Sequence, residues 1–307
     1  MKTIHLQKRT ILFIIISVIA CIALMALSAC SSCSNQSSQS GESSAASQNS
    51  TQGNSQGDDQ TDFVYEYGVF IALDPEHAQK LGAYHTVVID ALVWSQEDIQ
   101  ALHDEGHTVY SYLNVGSLEN WRSYYDEFKD VTTGERDGWE DESWVDVTNS
   151  EWQAFVTGTL AQELADKGVD GFFVDNLDVY SENPSDEYYQ ALITILNDLH
   201  QYNVPIMVNG ADEFVVAALD DHQTNLFNSV NQEEVFTQMN GSPYDHIVQT
   251  EEATEYYEDY LERCRQEGLA VYLTEYNAPE DMIDSINNYC DTNGFIWYNA
   301  PNVELKG

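Results

Sequence analysis

Chemistry in this chain is concentrated in a few acids that end short apolar or amide-bearing runs. Asp175 and Asp178 close the stretch Lys167-Gly168-Val169-Asp170-Gly171-Phe172-Phe173-Val174-Asp175-Asn176-Leu177-Asp178, and Glu233 and Glu234 close Asn231-Gln232-Glu233-Glu234. Gly168 stands where a left-handed residue ends a helix, so the run after it reads as a buried strand with a carboxylate at its C-terminal tip. The plainer reading is that Asp175 caps the next helix and Asp178 sits in a loop, because Asp is a frequent cap. Two carboxylates on opposite sides of a sugar are sufficient for glycoside hydrolysis. One protonates the leaving oxygen, and the other attacks carbon or activates water.

Such acids need a frame that brings distant tips together. Strand-like runs occur at Tyr67–Leu73, Thr86–Leu92, Thr108–Val115, Val169–Val174, Pro205–Val208, Leu226–Gln232, Leu269–Thr274 and Phe295–Tyr298. The sixth, with Asn228, Ser229 and Asn231, has the weakest strand character. Between the runs lie helical stripes such as Trp152, Phe155, Val156, Leu160 and Leu164, or Tyr189, Leu192, Ile193, Leu196 and Leu199. Gly106, Gly168, Gly268 and Gly294 fall where helix C-caps want glycine, and Ser95 with Asp98 forms a capping pair. Eight alternating units in one domain predict an α/β fold, a closed (β/α)8 TIM barrel over residues 63–307.

Barrel chemistry sits at the C-terminal ends of the strands. Read in order, those ends carry Asp74, Asp90, Asn114, Asp175, Asn209, Glu233 with Glu234, Glu275 with Tyr276, and Tyr298 with Asn299. This rim has acids, amides and phenols and no expected histidine. His103 and His107 have metal-pair spacing, but Gly106 breaks the helix between them. Phosphate loops, Ser-His arrangements and Cys-His pairs do not occur, so no metal or cofactor is expected and a hydrolase must work with carboxylates. Amides and tyrosines suit hydroxyl groups, and Trp94, Trp121 and Trp297 offer faces for sugar rings, although each taken singly suits a core. Cys264 and Cys290 fall on successive predicted helices and would need facing sides to form a disulfide.

The chain's start is of another kind. Lys2, Lys8 and Arg9 precede an apolar run from Ile11 to Leu27 that closes on Leu27-Ser28-Ala29-Cys30, similar to a bacterial lipoprotein signal with lipidation at Cys30. An uncleaved membrane anchor is the other reading, and both put the rest outside the cytoplasm. Residues 31–62 are rich in Ser, Gln, Asn and Gly and read as a flexible linker. Removing the three basic residues of the signal leaves 8 against 52 acids, a charge of −44. That balance excludes nucleic acid and anionic lipid as partners and favours a cationic or neutral one.

Three segments carry a resemblance. Tyr110-Ser111-Tyr112-Leu113-Asn114-Val115-Gly116-Ser117-Leu118-Glu119-Asn120-Trp121-Arg122, Gly168 to Asp178, and Asn231-Gln232-Glu233-Glu234-Val235-Phe236 resemble the signature segments of glycoside hydrolase family 114. The resemblance implies a retaining endo-hydrolase of α-1,4 links in galactosamine-containing extracellular polysaccharide, with Asp175 as nucleophile and Glu233 as acid/base. Glu234 competes with Glu233, and strand alternation lets only one of them face the mouth. Asp90, Asn114, Asn209, Glu275, Tyr276 and Tyr298 would then bind substrate, with Asp90 and Glu275 also candidates for a sugar amine. Arg122 is expected to pair with an acid, and a monomer is expected. The rival readings are a lipoprotein of the same barrel that binds glycan without cutting it, and a metal-dependent enzyme on an open α/β sheet.

Overall fold

A computed structural model describes residues 63–242 and 245–307. The signal over 1–30, the lipidation site at Cys30 and the linker over 31–62 lie outside the described residues. Among the described residues, no helix is long and apolar enough to cross a membrane.

Every one of the eight expected runs forms a strand, and all eight join one parallel sheet in chain order. They are β1 (Tyr65–Phe70), β2 (Tyr84–Ile89), β3 (Thr108–Asn114), β4 (Gly171–Asp175), β5 (Ile206–Asn209), β6 (Ser229–Glu233), β7 (Ala270–Tyr276) and β8 (Ile296–Ala300). Runs such as Phe172-Phe173-Val174 bury apolar groups on both faces, as strands wrapped by helices must. β1 and β8 lie side by side at the seam. Aromatic rings fill it: Phe70 lies 4.9 Å from Tyr84 and 5.4 Å from Tyr298, centroid to centroid. The result is the (β/α)8 barrel that the alternating pattern predicts.

Helices follow the expected stripes, over Asp186–Leu199, Glu251–Gln266 and Glu280–Asn293, with Ser150–Ala154, Phe155–Leu160 and Ala161–Lys167 forming one continuous stretch. Ser95 and Asp98 make the reciprocal capping box at the start of Gln96–Asp104. Gly168, at φ 90°, ends Ala161–Lys167 and turns the chain into β4. The weak sixth strand forms because its polar side chains have partners. Asn228 Oδ1 accepts from the Ile206 amide, and Asn231 Nδ2 donates 2.7 Å to Asn209 Oδ1.

Two insertions elaborate the C-terminal face. Ser117–Glu119, Thr132–Arg136 and Trp139–Val145 form a three-stranded antiparallel sheet between β3 and β4. Thr237–Ser242 and Asp245–Val248 form a hairpin between β6 and β7. Cys264 and Cys290 are buried free thiols, not joined as a disulfide.

Candidate active site

β4 to β7 end in four side chains joined by hydrogen bonds. Asp175 closes β4, Asn209 closes β5, Glu233 closes β6 and Tyr276 closes β7. Asn209 Nδ2 donates 2.8 Å to Asp175 Oδ1 and 3.0 Å to Glu233 Oε1. Tyr276 donates its hydroxyl proton 2.8 Å to Glu233 Oε2. The two N–H bonds of one amide diverge by about 120°, which sets the accepting oxygens about 5 Å apart. Asn209 is itself oriented by Asn231, whose Oδ1 in turn accepts from Tyr67 and Thr274 hydroxyls at 3.2 Å and 3.0 Å. A polar network therefore runs from the barrel interior up to the two acids.

Left-handed residues turn the chain off these tips. Asn176, Ala211, Glu234 and Asn277 have φ of 64°, 58°, 58° and 47°. Such conformations are uncommon for residues with a Cβ and gather where a backbone must be aimed. At the β4 tip the aim depends on Gly116. A Cβ there would meet the Asn176 carbonyl oxygen at 1.7 Å, so glycine is what lets the two backbones pass. Asn176 Nδ2 then donates 3.1 Å to Asn114 Oδ1 and 3.1 Å to Ser117 Oγ, tying the β3 and β4 ends together.

Burial pushes both catalytic candidates above the ordinary carboxylate range. For Asp175 the push is opposed by the Arg136 charge and by donation from Asn209. For Glu233 it is reinforced by the Asp175 charge, with Asn209 and Tyr276 pulling back. Two coupled acids of this kind titrate as a pair. Asp178 is pushed up to about 7 by burial and then by Asp175, although it accepts the Ala211 amide at 3.0 Å.

The other expected rim residues are distributed differently. Glu234 turns away from Glu233 and accepts the Met239 amide at 2.6 Å. Glu275 is fully buried and bound by the amides of Val235, Phe236 and Thr237 and by the Thr237 hydroxyl, so it braces the β6 loop instead of meeting a sugar amine. Asp90 is buried in an ion pair with Arg122 Nη1 at 2.6 Å, and Arg122 Nη2 holds Glu119 at 2.7 Å. Asn114 is buried with its amide engaged by Ser117 and Asn176, so it supports the tip rather than lining it. Tyr298 is buried in the ring packing of the seam. Trp94 is core, Trp297 donates to Asn287, and Trp121 remains 60% exposed.

Four residues near the site carried no sequence signal that singled them out. Arg136 and Glu142 arrive on the inserted sheet, 3.3 Å apart. His246 arrives on the hairpin and stacks on Tyr276 with centroids 5.2 Å apart, so the expectation of a rim without histidine fails. Asn231 stood in the sequence as a weak strand residue at the head of the third resemblance segment, with no role assigned to it. His103 pairs with Asp170 at 2.9 Å and His107 contacts the Tyr84 carbonyl at 2.7 Å, each a local brace. Among the described residues no cluster of His, Cys, Asp and Glu could hold a metal ion.

A barrel with paired carboxylates and hydroxyl-binding groups at its C-terminal mouth defines a glycoside hydrolase. Residues 42–300 match glycoside-hydrolase family GH114, and the chain belongs to that family. Its fold is similar to the glycoside hydrolase domain of PelA from Pseudomonas aeruginosa, at a TM-score of 0.66 and 18% identity, covering 79% of this chain and 96% of that one. Aspergillus fumigatus Ega3, solved in complex with galactosamine, gives a TM-score of 0.62 at 18% identity over 78% of this chain and 92% of its own. A Thermotoga maritima protein described only as uncharacterized is 30% identical over 92 residues, a match spanning 28% of each chain.

Proposed function

We propose that this glycoside hydrolase is a retaining endo-enzyme that cuts α-1,4 links in galactosamine- or N-acetylgalactosamine-containing exopolysaccharide. The observation that carries the retaining reading is the single Asn209 amide shared by Asp175 and Glu233. Ideal donor geometry at one amide would put the two accepting oxygens about 5 Å apart, a spacing that supports a retaining pair over a water-separated inverting one.

In the first step the Asp175 carboxylate bonds to the anomeric carbon as the glycosidic C–O bond breaks, and Glu233 gives its proton to the leaving oxygen. Water then attacks the glycosyl ester, Glu233 takes its proton, and Asp175 leaves as a carboxylate. Glu233 suits the acid role because burial and the adjacent Asp175 charge favour its protonated form. Asn209 and Tyr276 position the pair, and Trp121 offers an exposed face for a more distant sugar ring.

The sugar identity is supported by family membership and by the galactosamine complex of Ega3. The deacetylated polymer is cationic, which a mature charge of −44 would attract. Anchoring through lipidated Cys30 would place the barrel on the outer face of the cell membrane, with residues 31–62 as tether. The test is to incubate the full chain with acetylated and deacetylated α-1,4-galactosamine polymers and follow products by mass and anomeric NMR. Internal cleavage with α-configured first products is expected. β-configured first products would exclude retention, and binding with no new reducing ends would exclude catalysis.

A further inference from the structure

The hairpin between β6 and β7 is fastened to the tips of both strands, and each of its own strands contributes. On the first, Thr237 donates its hydroxyl 2.7 Å to Glu275 Oε2 and accepts the Tyr276 amide at 3.3 Å, while the Met239 amide donates 2.6 Å to Glu234 Oε1. On the second, His246 stands directly across the ladder from Met239. Its side chain is buried, its Nε2 lies 3.9 Å from Glu234 Oε1, and its ring packs on Tyr276 with 25° between planes and 5.2 Å between centroids. Tyr276 is buried as well, and its hydroxyl donates 2.8 Å to Glu233 Oε2. Direct contacts therefore run from the hairpin through one phenol to Glu233. A tyrosine hydroxyl lies on the axis of its own ring flip, so χ2 does not move it, whereas a swing of χ1 carries it off its acceptor. A flat neighbour against one face of the phenol resists that swing.

We propose that His246 is a positioning residue for Glu233: its ring, stacked on Tyr276, holds the phenol where its hydroxyl donates to Glu233 Oε2. The Thr237 contact fixes the Tyr276 main chain, and His246 fixes the ring. Glu233 Oε1 is held by Asn209, which also serves Asp175, so Oε2 is the oxygen whose hydrogen bond can be set without disturbing the other acid. Donation from Tyr276 favours the ionised carboxyl, against burial and the Asp175 charge. Alignment of the phenol therefore bears on how readily Glu233 gives up its proton and takes it back. The other titratable or charged groups that act on Glu233 or feel its charge are Tyr67 on β1, Glu234 beside it and Arg136 on the inserted sheet.

The inference rests on Glu233 acting as acid/base, and its test is independent of turnover. The carboxyl carbon of Glu233, assigned by its loss in Glu233→Gln, is titrated by 13C NMR in the full chain and in His246→Ala, His246→Phe, Tyr276→Phe and the double variant His246→Ala with Tyr276→Phe. Tyr276→Phe should raise the midpoint by about one pH unit and His246→Ala by about half a unit, a change of about threefold in proton affinity. His246→Phe keeps a flat ring on the phenol and should return the midpoint to the wild-type value. Once the Tyr276 hydroxyl is gone, His246→Ala should add nothing. The basic limb of kcat on a galactosamine polymer should move with the midpoint, whereas a purely structural role would lower the rate at all pH values without moving the limb. An unmoved midpoint in His246→Ala overturns the proposal. So does a midpoint that stays raised in His246→Phe or rises equally in the Tyr276→Phe background, since either would mean that the imidazole acts on Glu233 without the phenol. Ile247→Ala, at an exposed hairpin position, should leave the midpoint in place, and a shift there as large as in His246→Ala would assign the effect to a loosened hairpin and overturn the proposal too. Polymer cleavage by the wild type with an unmoved midpoint in His246→Ala removes this inference and leaves the hydrolase reading. A moved midpoint in a chain whose wild type cuts no polymer does the reverse.

Discussion

The acid-bearing strand tips and the seam of the barrel are built on different principles. From β4 to β7 the strand tips are polar, hydrogen-bonded across strands and followed by left-handed residues. Along the seam where β8, β1 and β2 adjoin, Phe70, Tyr84 and Tyr298 meet through tilted rings and edges. Apolar burial is non-directional and ring contacts tolerate shifts of a few tenths of an ångström, so they suit a seam where strands meet without a ladder. Hydrogen bonds to carboxylates are directional and hold oxygens to a few tenths of an ångström, so they suit a reacting pair. The division lets one region hold geometry while the other holds the ring closed.

Changes at the polar strand tips should reach the chemistry most strongly. Asp175→Asn and Glu233→Gln should each lower kcat by about 10² to 10⁴-fold or more with the near-ultraviolet spectrum unchanged, and ordinary turnover in either would sink the assignment. Gly116→Ala should come next, because its Cβ must displace the Asn176 carbonyl. A stability loss of about 1–3 kcal/mol in urea unfolding and a large fall in kcat are expected together. Tyr276→Phe removes a donor that favours ionised Glu233. The Glu233 pKa then rises, and because the acid must be protonated, the basic limb of the rate profile should move to higher pH with about a tenfold loss of kcat.

The seam supplies the contrast and the smallest effect on rate. Phe70→Leu should lower stability by about 1 kcal/mol through lost ring contacts and leave both limbs of the pH profile where they were. A shifted limb in that variant would show that the two regions are not separable.

Sequence alone was a good guide to whatever is periodic. Eight strands, the Ser95 capping box and the turn at Gly168 were all readable because apolar repetition and cap chemistry are local. Asp175 and Glu233 were visible as acids at strand tips, and the structure brings both to Asn209. What failed was the sorting of the remaining rim residues into mouth and brace. Asp90 and Glu275 read as free acids, yet one is claimed by Arg122, far along the chain, and the other by three backbone amides of an inserted hairpin's approach. Position relative to a strand end says how high a residue stands, and only the tertiary partners say which way it is drawn. Arg136, Glu142 and His246 escaped for the related reason that they lie in insertions, which the βα period does not index.

One amide nitrogen serving both acids also limits how such a catalyst can be retuned. Any replacement at position 209 alters Asp175 and Glu233 together, so relatives working at other acidities must be adjusted from the periphery. Tyr276 bears on Glu233 alone among the direct contacts, and the inserted sheet reaches the pair from the Asp175 side. Natural variation in optimum pH should therefore accumulate at these outlying supports, while the shared amide stays fixed.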